Sequence, residues 1–284
     1  MRLAEIERHV SSIEELQRIV GAMRAIASMR VQEALGALTS VRRYGSALAA
    51  AVREALAIAA DEHIAPGESQ GGGRRAIVVF TSEHGFVGGF NERLIEAAGV
   101  KPQTGDALLI VGSRGAALAS DRGLAVTSTH AMATRLARVP EVVQRVQEGL
   151  YSRIASAEIV RAEVVFGSHQ GSGATAIERR QLFPLDSSLR RERSEPVPLH
   201  DLPAAELLER LTAEYILSQL TEAATESLAA ENAARFAAME AAHDNVGKRL
   251  QGLRLDASRS RQEEVTTELL DLVIGQQAVD GSLS

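Results

Sequence analysis

Proline sets the first limit on what this chain can fold into. None occurs before Pro66 and none after Pro203. Both proline-free ends carry apolar residues at helical spacing. Leu3, Ile6, Val10, Ile13, Leu16, Val20, Met23 and Ile26 step by three and four along the first. Leu207, Leu211, Tyr215 and Leu220 open the second, and Val246, Leu250, Leu253, Val265, Leu269 and Leu272 finish it. At a rise of ~1.5 Å per residue, the first helix would span roughly 90 Å and the second more than about 100 Å. Neither can bury its stripe on a small domain. The economical expectation is that they bury each other as a long antiparallel two-helix coiled coil.

The middle of the chain has another character. "DEHIAPGESQGGGRR" (61–75) is a polar break with three consecutive glycines. "AIVVF" (76–80) and "ALLIV" (107–111) are short apolar runs rich in branched residues, as in buried parallel strands, with "NERLIEAAG" (91–99) as a helix between them. "LAVTST" (124–129), "EVVQRVQEGLYSRI" (141–154), "AEIVRAEVVFGS" (157–168) and "AIERRQLFPL" (176–185) extend the alternation. The pattern predicts an inserted α/β domain over residues 76–185 with about five mostly parallel strands. It lies between coiled-coil helices over 1–60 and 204–280, and the polar connector "DSSLRRERSEPVPLHDLP" (186–203) leads into the second.

Composition removes several functions. The chain has no cysteine, which excludes disulfides, thiolate zinc sites and a cysteine nucleophile. A net charge of -6 argues against binding nucleic acid through a bulk positive field. Of 31 basic residues only Lys101 and Lys248 are lysines, which leaves little for phosphate-loop or Schiff-base chemistry. The opening "MRLAEIERHVSSIEEL" reads as a charged helix, not a signal peptide, and no apolar run approaches a membrane span. These features predict a soluble intracellular chain that reaches a membrane only through partners.

The motifs point away from catalysis. "TSEHGFVGGFN" (81–91) is a glycine-rich strand-to-helix turn, a common place for phosphates. Its glycines do not match G-x-G-x-x-G, and no G-x-x-x-x-G-K-[ST] occurs, so a tight structural turn competes with a nucleotide site. "GSHQGSGAT" (167–175) reads as a hairpin or loop between strands. The seven histidines are scattered, with no H-E-x-x-H and no paired metal ligands, and there is no G-x-S-x-G elbow.

Around "ENAARFAAMEAAHDN" (231–245) alanines fall in pairs at 229/230, 233/234, 237/238 and 241/242. Ala233, Ala234, Ala237, Ala238, Ala241 and Ala242 form a strip that wraps around the helix, since a four-residue step advances about 40° per repeat. Small side chains allow close approach without glycine's helix cost. High helix propensity alone is the simpler reading of the same stretch.

Taken together, the layout and these motifs resemble the gamma subunit of F-type ATP synthases over essentially the whole chain. "RIVGAM" (18–23) stands where the family has a basic–Ile–Thr–x–Ala–Met pattern. "TSEHGFVGGFN" matches the glycines and asparagine of the family's Ser-Thr-Asp-Arg-Gly-Leu-Cys-Gly-Gly-Leu-Asn turn. "ENAARFAAM", "AAHDN", "RQEEVTTEL" and "LVIGQQAV" follow its C-terminal signature in order and spacing. There are departures: Val20 and Gly21 replace a hydroxyl and a charge, Glu83-His84 replaces Asp-Arg, Val87 replaces Cys, and Ser258 stands for a frequent Asn. They would suit a divergent, second-copy type of F-type ATPase as well as a divergent main one.

The resemblance implies a rotor without cofactor or catalytic residues of its own. Its shaft would turn inside a collar of alpha and beta subunits that bind ATP, and its inserted domain would meet the epsilon subunit and the c-subunit ring. The complex would lie at the cytoplasmic face of a bacterial plasma membrane. Each orientation of an asymmetric shaft would favour a different conformation at each catalytic site. Met23 matches the family position near the beta subunits' acidic loops, and Arg261, Gln262, Thr266 and Glu268 match the second-helix positions in that region. Leu272, Val273, Ile274 and Val279 would meet an apolar bearing. The alanines would keep the shaft slim. A nucleotide-binding enzyme with coiled-coil arms and a coiled-coil scaffold are the alternatives.

Overall fold

The computed structural model describes residues 3–63, 73–100, 105–171, 174–186, 189 and 199–281, with the side chains of 174 and 271–281 left out. Elements follow in the order α1 (Leu3–Asp61), β1 (Arg74–Phe80), α2 (Phe90–Ala98), β2 (Ala107–Val111), α3 (Ser113–Asp121), β3 (Val126–His130), a 3-10 turn (Leu136–Arg138), α4 (Val139–Ala155), β4 (Ile159–Gln170), β5 (Ala174–Phe183) and α5 (Ala204–Gly281). Two long terminal helices thus flank an inserted α/β domain, as the proline distribution predicts. No helix among the described residues is long and apolar enough to cross a membrane.

The chain forms two compact units, Ile26–Ala237 and Met1–Ala25 with Ala238–Ser284. In the larger unit the sheet order is β3-β2-β1-β4-β5. β1 pairs in parallel with β2 and β4, β2 with β3, and only β5 runs antiparallel, as a hairpin with β4. Side chains alternate across the sheet because successive Cβ atoms point to opposite faces. Ala76, Val78, Phe80, Leu109, Val164 and Phe166 pack with α4 and with Ile216, Leu220, Ala223, Ala224 and Leu228 of α5. Ile77, Val79, Leu108, Ile110 and Val165 pack with α2 and α3. β1 and β2 are covered on both faces, which is why they read as unbroken apolar runs.

Within this unit all the buried positions of α1 except Leu56 fall on two seven-residue series. Ala27, Ala34 and Ala55 form one series, and Val31, Leu38, Gly45, Val52 and Ala59 the other. A strict heptad repeat winds paired helices left-handedly. Arg42 of α1 pairs with Glu226 and, at 3.6 Å, with Glu222 of α5, while Arg180 of β5 reaches Glu222 at 3.3 Å and lies 5.2 Å over the Phe166 ring. One charged cluster therefore ties α1, α5 and the sheet together. At the end of α1, Val52, Ala55, Leu56 and Ala59 pack with Leu189 and Leu208.

The smaller unit is a helix pair. Arg24 meets Glu240 at 2.9 Å, Glu14 meets Arg254 at 2.6 Å and Glu7 meets Arg261 at 2.7 Å, so α1 and α5 run antiparallel there. Ile6 and Val20 are buried on the α1 side, and Met239, Leu250 and Leu253 on the α5 side. This seam has polar layers. Gln17 faces Gly247, where an added Cβ would lie 3.6 Å from Gln17 Nε2, and Arg24–Glu240 occupies the next heptad layer of α1.

Candidate functional site

The first candidate is the carboxyl end of the sheet. In open α/β sheets ligands bind in the crevice where chain order reverses, here beside β1, whose neighbours β2 and β4 lead in opposite directions. The turn 81–91 leaves β1 at that point. Thr81 donates its hydroxyl to the carbonyl of Val111 at 2.9 Å, and Ser82 and Asn91 bond each other at 2.9 and 2.8 Å. Glu83 accepts from the backbone of Ser113 at 3.1 Å, its hydroxyl at 2.6 Å and the backbone of Met132 at 2.8 Å. Burial raises the Glu83 carboxyl, but these hydrogen bonds outweigh it and hold it below the usual carboxylate range. The first turn of α3, an anion-binding position by its free N–H groups, is thus filled by the chain's own carboxylate.

α5 fills the rest. All residues from 223 to 233 are buried, so the helix is covered on every side. Ser227 donates to the carbonyl of Phe80 at 3.0 Å. Ala230 packs at Gly167, where an added Cβ would lie 2.9 Å from Ala230 Cβ and 2.6 Å from Phe90. Arg235, itself buried, bonds Glu231 at 2.7 Å, Asn232 at 3.2 Å, and the carbonyls of His84 and Gly85 at 3.3 and 3.4 Å. The glycine-rich turn is therefore a structural clamp between sheet and helix. At its tip Phe86 is exposed with φ of 63°.

This geometry divides the alanine strip. Ala233 is buried and Ala234 half-buried in the second apolar cluster of the sheet domain. Ala237 and Ala241 are exposed, and Ala238 and Ala242 half-buried. The first pairs allow contact with the sheet domain; of the later ones, Ala237 and Ala241 face solvent in this chain. Sequence reasoning missed Ser227, Glu231 and Arg235 as a linked set. Their i, i+4 spacing, Ser227–Glu231–Arg235, is the signal that places them on one face.

The second candidate is the helix pair of the smaller unit. Met23 is half-buried, one residue from the Arg24–Glu240 pair. Arg261, Gln262, Thr266 and Glu268 are exposed, with Arg261 paired to Glu7 and Thr266 donating to the carbonyl of Gln262 at 2.7 Å. Met23 is not brought together with them, since residues 240 and 261 of α5 lie about 30 Å apart along the helix. Every residue from 261 to 270 is exposed, including the apolar Val265, Leu269 and Leu270. The side chains of Leu272, Val273, Ile274 and Val279 lie outside the described residues. Among the described residues, no cluster of three or more His, Asp or Glu could hold a metal.

Known proteins resemble this chain over nearly its whole length. The ATP synthase gamma chain of Thermobifida fusca is 27% identical, over 98% of this chain and 96% of that one. The ATP synthase gamma chain of Phenylobacterium zucineum is 28% identical, over 98% of this chain and 99% of that one. The rotor of the Euglena gracilis mitochondrial ATP synthase superposes with a TM-score of 0.61 at 16% identity, over 93% of this chain and 98% of that one. The family model described as ATP synthase matches residues 2–279, nearly the full length, and this chain therefore belongs to the ATP synthase family.

Proposed function

We propose that this chain is the central rotor shaft of a rotary F-type ATP synthase or ATPase, a non-catalytic subunit that couples ion-driven rotation to ATP synthesis or hydrolysis in a collar of alpha and beta subunits. The observation that carries this reading is the run of exposed residues from 261 to 270. A helix that presents Val265, Leu269 and Leu270 to solvent has no partner for them within the described residues, and a surrounding collar supplies one. The relatives are named gamma chains, and solved structures of similar fold are described as a rotor and as a central stalk with its c-ring.

In this reading residues 1–60 and 204–280 form the shaft and 76–185 the inserted domain, which meets the epsilon subunit and the c-subunit ring. The assembly sits on the cytoplasmic face of a bacterial plasma membrane. Met23, Arg261, Gln262, Thr266 and Glu268 meet the acidic loops of the beta subunits, and Leu272, Val273, Ile274 and Val279 turn against an apolar bearing. Ala237, Ala238, Ala241 and Ala242 keep the shaft thin inside the collar, while Ala233 and Ala234 serve the sheet contact. ATP is bound by the collar. The filled crevice beside β1 supports a non-catalytic role, because Ser227, Glu231 and Arg235 occupy the place a nucleotide would need.

Co-purification from the native host tests the proposal. The expected result is one copy of this chain per three alpha–beta pairs, and no nucleotide hydrolysis by the purified chain alone. A chain that hydrolyses ATP unaided would be an enzyme, and one isolated only as its own dimer would be a scaffold; either result overturns the rotor reading.

A further inference from the structure

One buried atom in the clamp has no account in the packing. Glu231 is 4% exposed. Its Oε1 accepts from Arg235 at 2.7 Å, but its Oε2 is buried without a hydrogen-bond partner. A buried carboxylate oxygen left bare is costly, more so than a neutral group. The charged groups facing it come from three elements: Arg235 on α5 itself, Arg30 on α1, and Glu83 on the turn after β1. Arg235 is shared with the carbonyls of His84 and Gly85 and with Asn232. Glu83 is fixed as an anion by its three donors and places a second negative charge nearby.

We propose that Glu231 is a proton-binding site built into the clamp between α5 and the turn 81–91, with the proton carried on Oε2. Of the two neighbouring acids, Glu83 has donors that stabilise its charge, whereas Glu231 has an oxygen to which the described residues bring no donor. Burial, together with Glu83, pushes the Glu231 carboxyl up to about 7 against the pull of Arg235 and Arg30. The proton is taken from water, an O–H bond forms, and no electrons are transferred. Charged Glu231 makes a charge-assisted hydrogen bond with Arg235 that holds it on the turn carbonyls. Neutral Glu231 leaves Arg235 with uncharged acceptors only, but it removes the bare buried charge, and because burial holds the carboxyl above its ordinary range the closed clamp is favoured in acid. The inference stands whatever the chain assembles with.

The test is a titration of the full chain with its glutamate carboxyl carbons isotopically labelled, read by NMR, alongside hydrogen exchange of the turn amides. One carboxyl is expected to titrate at least about one pH unit above the others, and to be missing from Glu231→Gln. Turn amides should be better protected relative to the helices below that midpoint. Glu83→Gln removes the neighbouring negative charge and should lower the same midpoint. If every wild-type glutamate titrates in the ordinary range, or if the outlier persists in Glu231→Gln, the proposal is overturned. Should Glu231→Gln fail to fold, an outlier whose midpoint does not move in Glu83→Gln overturns it equally.

Discussion

Ser227 of α5 donates its hydroxyl to the carbonyl oxygen of Phe80, the last residue of β1, across 3.0 Å, and both residues are buried. This bond places a long helix over the carboxyl end of the central strand, where α/β domains ordinarily leave room for a ligand. Ala230 and Arg235, one and two turns further along, complete the closure at Gly167 and at the carbonyls of His84 and Gly85. The helix that binds the sheet domain so closely also pairs with α1 through Arg42–Glu226 in the same unit.

Removing Arg235 should expose how much this closure contributes. Arg235→Ala leaves Glu231 buried without its cation, and breaking one side of a buried pair costs about 3–5 kcal/mol. The full loss is expected above neutral pH in urea unfolding followed by far-UV circular dichroism. The double variant with Glu231→Gln should recover part of it, because the stranded charge is gone. A single-variant loss below about 1 kcal/mol would mean the clamp is a minor contact.

Gly167 tests the closeness of the approach. An added Cβ there would stand 2.6 Å from Phe90 Cε2 and 2.9 Å from Ala230 Cβ, inside van der Waals contact on two sides. Gly167→Ala should therefore destabilise the chain by about 1–3 kcal/mol, as overpacking does. Glycine's poor strand propensity would otherwise make alanine neutral or slightly stabilising, so the sign of the measured change decides.

The long helices were legible because proline and the three–four apolar step act locally. β1 and β2 were legible because burial on both faces leaves an unbroken apolar run. α3 was not read, since "SRGAALASD" places Gly115, a poor helix former, in its first turn. That glycine is needed because any Cβ there would collide with Thr81, a tertiary constraint with no local signature. The alanine pairs looked uniform in sequence. Their division into buried Ala229, Ala230 and Ala233 and exposed Ala237 and Ala241 depends on where the sheet lies, which periodicity cannot report. The clamp was hidden for the same reason: an i, i+4 Glu–Arg spacing carries no local sign that the fold buries it.

Glu231 also gives stability a pH dependence of defined sign. Its carboxyl lies at about 7 in the folded chain against an ordinary value of 4.5, so between these values the folded chain holds a proton the unfolded chain has lost. Stability from this group is complete below 4.5 and is lost as pH rises to about 7, above which it is constant. Glu231→Gln lacks this slope. The wild type should therefore lose stability relative to the variant across that window, measured by urea midpoints at several pH values. Parallel curves for the two proteins would contradict the assignment.

Gly21 of α1 and Gly252 of α5 sit inside long helices with nothing within 4 Å of the position a Cβ would take. No steric demand for glycine is visible at either site. Gly21→Ala and Gly252→Ala should each stabilise the chain by about 0.5–1 kcal/mol through helix propensity alone, raising the thermal midpoint. A loss of stability in either variant would point to a backbone role that the helix geometry does not display.

Ala237→Trp separates the requirements of the isolated chain from those of its assembly. Ala237 is exposed, on the side of α5 that the described residues leave uncovered, so a large side chain meets no neighbour there. The variant's unfolding free energy should stay within about 0.5 kcal/mol of the wild type, as for other exposed positions. In the rotor reading that same face turns inside a collar, and the indole thickens the shaft where alanine kept it thin. Coupled ATP synthesis by the reconstituted complex should then fall, or assembly should fail, while the free chain remains folded. Ala233→Trp should instead unfold the chain itself, since Ala233 is 6% exposed. Normal coupled synthesis with Ala237→Trp would show that nothing encloses α5 at this level, and the alanines there would be explained by helix propensity alone.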